Sequence, residues 1–197
     1  MTIAPVLFII TIAVSLLGLY VAPSIIERAI LRPYWLQRKS QYDRLVTSGF
    51  VHADVPHLLF NMMSFYFFAF ALERYIGTAR FVVLYIAGLL IGNIGTALKH
   101  RDDPAYASLG ASGAILAVMF ASIVYSPHQS LFIIPIPVPI PAPLFAVGYL
   151  MYSYYSSRAS KDRINHDAHI AGALTGLAFV AVTDPMAYTE LAGMVGL

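Results

Sequence analysis

Residues 111–125 read Ala-Ser-Gly-Ala-Ile-Leu-Ala-Val-Met-Phe-Ala-Ser-Ile-Val-Tyr, a run without a charge and with a serine at its second position. As a helix rising 1.5 Å per residue it covers about 22 Å, short of the roughly 30 Å of a hydrocarbon core, which takes about 20 residues to cross. An apolar helix this short ends below the membrane surface, and its connecting backbone must line a wet cavity or pack in protein. A hydroxyl at such an end is where to look for chemistry.

The rest of the composition agrees with a lipid solvent. Of 197 residues, 59% are hydrophobic and 11% charged, against roughly 45–50% and about 25% in soluble domains. The mean hydropathy is +0.73, and the charges cluster, leaving long stretches almost empty of them. Disorder, a fibrous protein and an ordinary soluble enzyme are excluded, and the chain reads as an integral protein of the lipid bilayer. A net charge of +2, without a basic stripe interleaved with aromatics, argues against a nucleic-acid partner. With no cysteine there is no disulfide, no thiolate chemistry and no zinc–thiolate site.

Working outward, the apolar pattern predicts spans at about Val6–Ala22, His57–Leu72, Phe81–Leu98, Ala111–Tyr125, Leu144–Tyr155 and Ala168–Val182. No positive charge precedes the first run and no small-x-small cleavage site follows it, so it reads as a membrane helix, not a signal peptide. Pro23–Pro56 is charged and aromatic, with Tyr34, Trp35, Tyr42 and Phe50 suited to a membrane interface. Leu131–Pro143 alternates proline with apolar residues, which forbids a regular helix until after Pro143. Neither a repeat nor a linker appears. Residues 1–197 therefore read as one domain, an all-α polytopic membrane protein in which six helices enclose a water-filled cavity at one face.

Three polar groups stand where lipid burial would be costly. Ser112 opens its helix between Gly110 and Gly113, which let another backbone or a substrate come close. A helix start also offers free N–H groups and a positive dipole end to a developing oxyanion. His169 starts the last apolar helix, where Ala168, Gly172 and Gly176 form a small-residue stripe along which a neighbour can pack. If that neighbour carries Gly113 and Ala117, the imidazole reaches the Ser112 hydroxyl. His57 and Asn61, four apart on one helical face, can both donate to an oxyanion, with Asp54 placed to cap their helix and Pro56 in its first turn. As a metal pair they are poor, because neutral amides bind transition metals weakly. Asp167 does not complete a triad with His169, since residues two apart on a helix point different ways.

Each group also has a structural reading: a serine N-cap in a packing patch, a histidine bonded to a carbonyl at a helix end, a polar pair bonding across helices. Taken singly, the motifs leave both readings open. Together they supply a nucleophile, a base and oxyanion donors at the starts of short helices.

The segments Arg44-Leu-Val-Thr-Ser-Gly-Phe-Val-His52-Ala-Asp-Val-Pro-His57-Leu-Leu-Phe-Asn61-Met, Gly110-Ala-Ser112-Gly113 and Asp167-Ala-His169-Ile-Ala-Gly172 resemble, in order and spacing over about 130 residues, the rhomboid intramembrane serine proteases. The resemblance implies that Ser112 is the nucleophile and His169 the general base, a dyad without a carboxylate. His57, Asn61 and the Ser112 backbone N–H would form the oxyanion hole. It implies a serine endopeptidase that needs no cofactor and no metal. Its partners would be transmembrane protein substrates, cut at small residues with helix-destabilising residues nearby. Gly110, Gly113, Gly172 and His52 would support the site, and Glu73-Arg74 matches the family's acidic–basic pair after the second helix, again structural.

Two positions depart from the pattern. Leu116 stands where well-known bacterial members carry an aromatic residue stacked on the catalytic histidine, so the imidazole must be oriented some other way. Asp43 stands where some members carry a tryptophan. A non-catalytic rhomboid-like protein that binds membrane clients is the alternative, although such relatives usually lose the serine or the histidine, and both are retained. A transporter ranks third, because no charged residue lies mid-span.

Orientation sets two rules against each other. Ten of the twelve Lys and Arg residues fall in the first, third and fifth loops, leaving Arg74 and Arg80 opposite. The positive-inside rule thus puts the Ser112 face in the cytoplasm, whereas bacterial rhomboids place it outside. The expectation follows the family: a multi-pass protein of the bacterial inner membrane, opening to the extracytoplasmic side, with first-loop cations lying in the interface beside Tyr34, Trp35 and Tyr42. The proline stretch and the short fifth span are the expected mobile side, through which a substrate enters from lipid.

Overall fold

Each apolar run is a helix in the computed structural model, which describes residues 2–133, 136–159 and 164–194. In chain order these are α1 (Ala4–Tyr20), the short α2 (Ser24–Ala29), α3 (Pro33–Arg38) and α4 (Arg44–Thr47), then α5 (Val55–Ile76), α6 (Thr78–Lys99), α7 (Ser112–Tyr125), α8 (Ala142–Ala159), α9 (His166–Thr183) and α10 (Tyr188–Gly193). α5 and α9 begin before their apolar runs because polar residues cap them. The Asp54 carboxylate accepts the His57 N–H at 2.8 Å and starts α5 ahead of Pro56, and the Asn165 side chain accepts the Ala168 N–H and starts α9. By length and composition α5 and α6 suffice to cross a membrane, and α9 with the helical segment beyond its 113° bend makes a third; α1 and α7 are apolar but shorter.

The 14-residue α7 is enclosed by protein: Gly113 through Ala121, Ile123 and Val124 are all buried, with α5, α6, α8 and α9 packed around it. Its length therefore need not match a bilayer. Close approach of backbones holds this centre, because lipid is as apolar as leucine and transfer alone drives no helix association. A Cβ at Gly172 would lie 2.2 Å from the Gly113 carbonyl oxygen, one at Gly176 2.2 Å from that of Ala117, and one at Gly88 2.5 Å from the Ala117 Cβ. So α6, α7 and α9 form a tight trio. Phe65, Phe81, Leu84 and Tyr85 fill the adjoining core between α5 and α6. Glu73, 2% exposed, takes the N–H groups of Ile3 (2.6 Å) and Ala4 (2.8 Å) and the Thr78 hydroxyl (2.8 Å), tying the start of α1 to the end of α5.

The chain is not wholly helical, which amends the all-α reading. Ser130–Ile133 (β1) and Ile136–Pro141 (β2) pair antiparallel, Ser130 opposite Pro141, with an irregularity between Phe132 and Ile133. Proline fixes an extended-compatible φ and removes donors, which a two-stranded edge ladder tolerates and a helix does not. Residues 134–135 of the proline stretch lie outside the described residues, as do Lys161 and Arg163 of the fifth-loop charges.

The first connection is built into the site end. Leu31 and Ser108 exchange backbone hydrogen bonds of 2.9 Å, and Asn93 of α6 donates to the Leu45 carbonyl and the Ser48 hydroxyl.

Candidate active site

Ser112 is the first residue of α7 and His169 lies in the first turn of α9. The glycine contacts bring the two helices close enough for His169 Nε2 and Ser112 Oγ to stand 2.8 Å apart, within hydrogen-bond reach. Asp167 faces away and pairs with Lys99 of α6. On the other side of the imidazole, Tyr149 of α8 places its hydroxyl 3.0 Å from His169 Nδ1, with its ring 6.5 Å away and tilted 26°. Leu116 packs in the cluster that holds Phe145, Tyr149 and Leu150. The aromatic ring beside the imidazole thus comes from α8 instead of the position four after the serine.

His57 and Asn61 open α5 on the far side of a cavity of about 790 Å³ whose walls include His57, Asn61, Gly110, Ser112, Asn165 and His169. The Asn61 amide donates to the His57 carbonyl at 3.0 Å, which leaves its second N–H for another acceptor. Gly110 has φ +113°, a left-handed conformation, and a Cβ there would fall 2.8 Å from the His57 ring. Its N–H donates to the Ser48 carbonyl. Glycine is required on both counts, and the close approach is what seats His57 against the turn before Ser112. The Ser112 N–H, in the first turn of α7, has no intrahelical partner.

His52 is fully buried and sits edge-on to His57, ring centroids 4.9 Å apart. The Ser15 hydroxyl donates to the Phe50 carbonyl, so it accepts from His52 Nδ1 at 2.9 Å. Burial pushes the His52 pKa down to about 3, with His57 adding to the effect. Asn165 closes the floor: its amide donates to Thr96 Oγ1 (2.7 Å) and Ser108 Oγ (3.1 Å) while its oxygen caps α9. Among the described residues no group of three or more His, Cys, Asp or Glu side chains is placed to hold a metal.

Tyr149 and Asn165 are the residues that motif spacing does not reveal. The signal for Tyr149 is a phenol inside an apolar run, since a buried tyrosine hydroxyl usually has a partner. For Asn165 it is a cap residue just ahead of His169.

A family model, the Rhomboid domain, matches residues 39–185. The putative rhomboid protease YdcA of Bacillus subtilis is 49% identical over 75 residues, which cover 38% of this chain and 37% of that protein. RHOMBOID-like protein 12, mitochondrial, of Arabidopsis thaliana is 31% identical over 147 residues, 66% of this chain and 43% of that one. Rhomboid-related protein 2 of Mus musculus is 24% identical over 196 residues, 88% and 62% respectively. The chain thus spans less than two thirds of the length of each of these relatives.

Proposed function

The chain belongs to the rhomboid family, and on that premise we propose that it is an intramembrane serine endopeptidase acting on transmembrane segments of other membrane proteins. The observation that carries the reading is the 2.8 Å approach of Ser112 Oγ to His169 Nε2 at the wall of the cavity. In this reading His169 takes the hydroxyl proton as Oγ attacks the scissile carbonyl, then returns it to the leaving amine. A water, deprotonated in the same way, releases the acyl group. The oxyanion is received by the His57 ring, the second N–H of Asn61 and the Ser112 backbone N–H, donors on residues that line the cavity. No step calls for a cofactor.

The same reading makes residues 1–197 one membrane domain with six crossings, the cavity wet and open to the extracytoplasmic side of a bacterial membrane. In that orientation the first-connection cations lie in the interface and do not count toward the charge rule. The Arg38 guanidinium lies 3.8 Å over the Tyr34 ring and the Lys39 ammonium 4.4 Å over Trp35, the aromatic and basic packing of a segment lying in the interface.

The test is cleavage of a reporter transmembrane segment in proteoliposomes. The wild type should cut it, and Ser112→Ala and His169→Ala should each lower turnover by orders of magnitude while the proteins stay folded. Cleavage by either variant near the wild-type rate would overturn the assignment.

A further inference from the structure

Resting on that reading, we propose that Tyr149 is a positioning residue for the dyad: its phenol oxygen accepts the His169 Nδ1–H, and because it sits on α8 it makes activation of Ser112 conditional on α8 being seated.

Proton bookkeeping carries the first half. To receive the Ser112 proton, Nε2 must be bare, so the neutral ring must carry its proton on Nδ1, and that N–H needs an acceptor. The Tyr149 oxygen lies 3.0 Å from Nδ1. The carboxylate nearest in sequence, Asp167, is committed to Lys99. A phenol can also donate, which would fix the opposite tautomer, with Nε2–H pointing at Ser112 and the serine inert. Ser153, buried one turn further along α8, makes no hydrogen bond of its own, so the direction is set by the bare Nε2 that Ser112 needs, and the tautomer measured below reads it.

Packing carries the second half. α8 is held on one side, where Phe145, Ala146, Tyr149 and Leu150 meet Leu116, Met119 and Phe120 of α7 and Ala173 and Leu177 of α9. Its opposite side exposes Leu144, Val147, Met151 and Tyr155, and the strand β2 precedes it. A helix gripped on one side is one that can move, and a shift of about 1 Å takes a 3.0 Å hydrogen bond out of range. His169 would then keep its serine but lose the acceptor that holds its tautomer.

The neighbours of His169 make the experiment readable. His166 lies on its own helix with ring centroids 6.1 Å apart, Tyr152 of α8 packs against His166, and the Asp167–Lys99 pair joins α9 to α6. Tyr149→Phe leaves all of these and the ring itself in place.

The experiment uses the full chain in detergent or lipid. Four readouts apply: the rate of labelling by a small fluorophosphonate, kcat and KM on a transmembrane substrate, thermal unfolding, and the ¹⁵N histidine spectrum assigned by loss of one signal set in His169→Asn. Tyr149→Phe should slow labelling and lower kcat together by about 3- to 10-fold, the worth of one neutral hydrogen bond. KM and melting temperature should hold, and the His169 signals should shift from Nδ1-protonated toward a mixture of tautomers. Leu150→Ala, which loosens α8 without touching His169, should slow labelling in the wild type and add little in the Tyr149→Phe background. Wild-type labelling matched by Tyr149→Phe with an unchanged tautomer overturns the positioning role alone, and fully multiplicative effects of the two substitutions overturn its dependence on α8. Failure of the wild type itself to label Ser112 overturns the protease reading and this inference with it.

Discussion

Alanine at Gly172 addresses the contact that sets the dyad distance. Its Cβ would stand 2.2 Å from the Gly113 carbonyl oxygen, 2.9 Å from the carbonyl carbon and 3.0 Å from the Gly113 Cα, all backbone atoms that cannot rotate aside. Ordinary contact begins at 3.4 Å, so α9 must draw back from α7 by about 1.2 Å. His169 lies three residues earlier on the same helix face, so its 2.8 Å approach to Ser112 opens to about 4 Å, beyond a hydrogen bond. A misplacement of this size costs on the order of 10²-fold in rate, while overpacking costs about 1–3 kcal/mol of stability. The assay pairs the rate of fluorophosphonate labelling with thermal unfolding in detergent. Gly172→Ala should keep a cooperative melt, lowered by several degrees, and lose about 10²-fold in labelling. Gly148→Ala is the control: nothing lies within 4 Å of that position, so it should label normally and melt no lower than the wild type. Wild-type labelling by Gly172→Ala would refute the argument that backbone contact sets the dyad.

Two further predictions concern the oxyanion and the membrane. Asn61→Ala should lower turnover by up to about 10²-fold and not abolish it, because His57 and the Ser112 N–H remain; a loss equal to that of Ser112→Ala with normal folding would give Asn61 another role. For orientation, the absence of cysteine allows a single Ala107→Cys, an exposed position on the cavity rim; Ser108 is less suitable because its hydroxyl accepts from Asn165. A membrane-impermeant maleimide should label intact cells, and labelling that appears only after lysis would show that the charge rule prevails.

Helix positions and the small-residue stripe were legible in the sequence because both are local: apolar runs announce helices, and Gly172 and Gly176 four apart announce a close neighbour. Where the polar residues meet was harder to read. The identity of the helix that lies against α9 was conditional on Gly113 and Ala117 facing it, and the structure places their carbonyls there. The strand pair β1–β2 was read only as non-helical, since prolines exclude a helix without specifying a partner strand. Tyr149 escaped because its meaning depends on a contact with His169, twenty residues away, and on the vacancy left by Leu116. The first connection read as an interfacial segment, yet Leu31 and Ser48 hold Ser108 and Gly110 through backbone hydrogen bonds, which carry no side-chain signature, and the Phe50 carbonyl takes the Ser15 hydroxyl that bonds His52.

The central claim, that Ser112 is a nucleophile activated by His169, is tested most directly by mapping where a fluorophosphonate attaches. Only an activated hydroxyl displaces fluoride to form the Oγ–P bond. The account predicts a single adduct on the peptide carrying Ser112, absent in Ser112→Ala and in His169→Ala although both remain folded. An unmodified Ser112 in the folded wild-type protein, or undiminished labelling in His169→Ala, would contradict it.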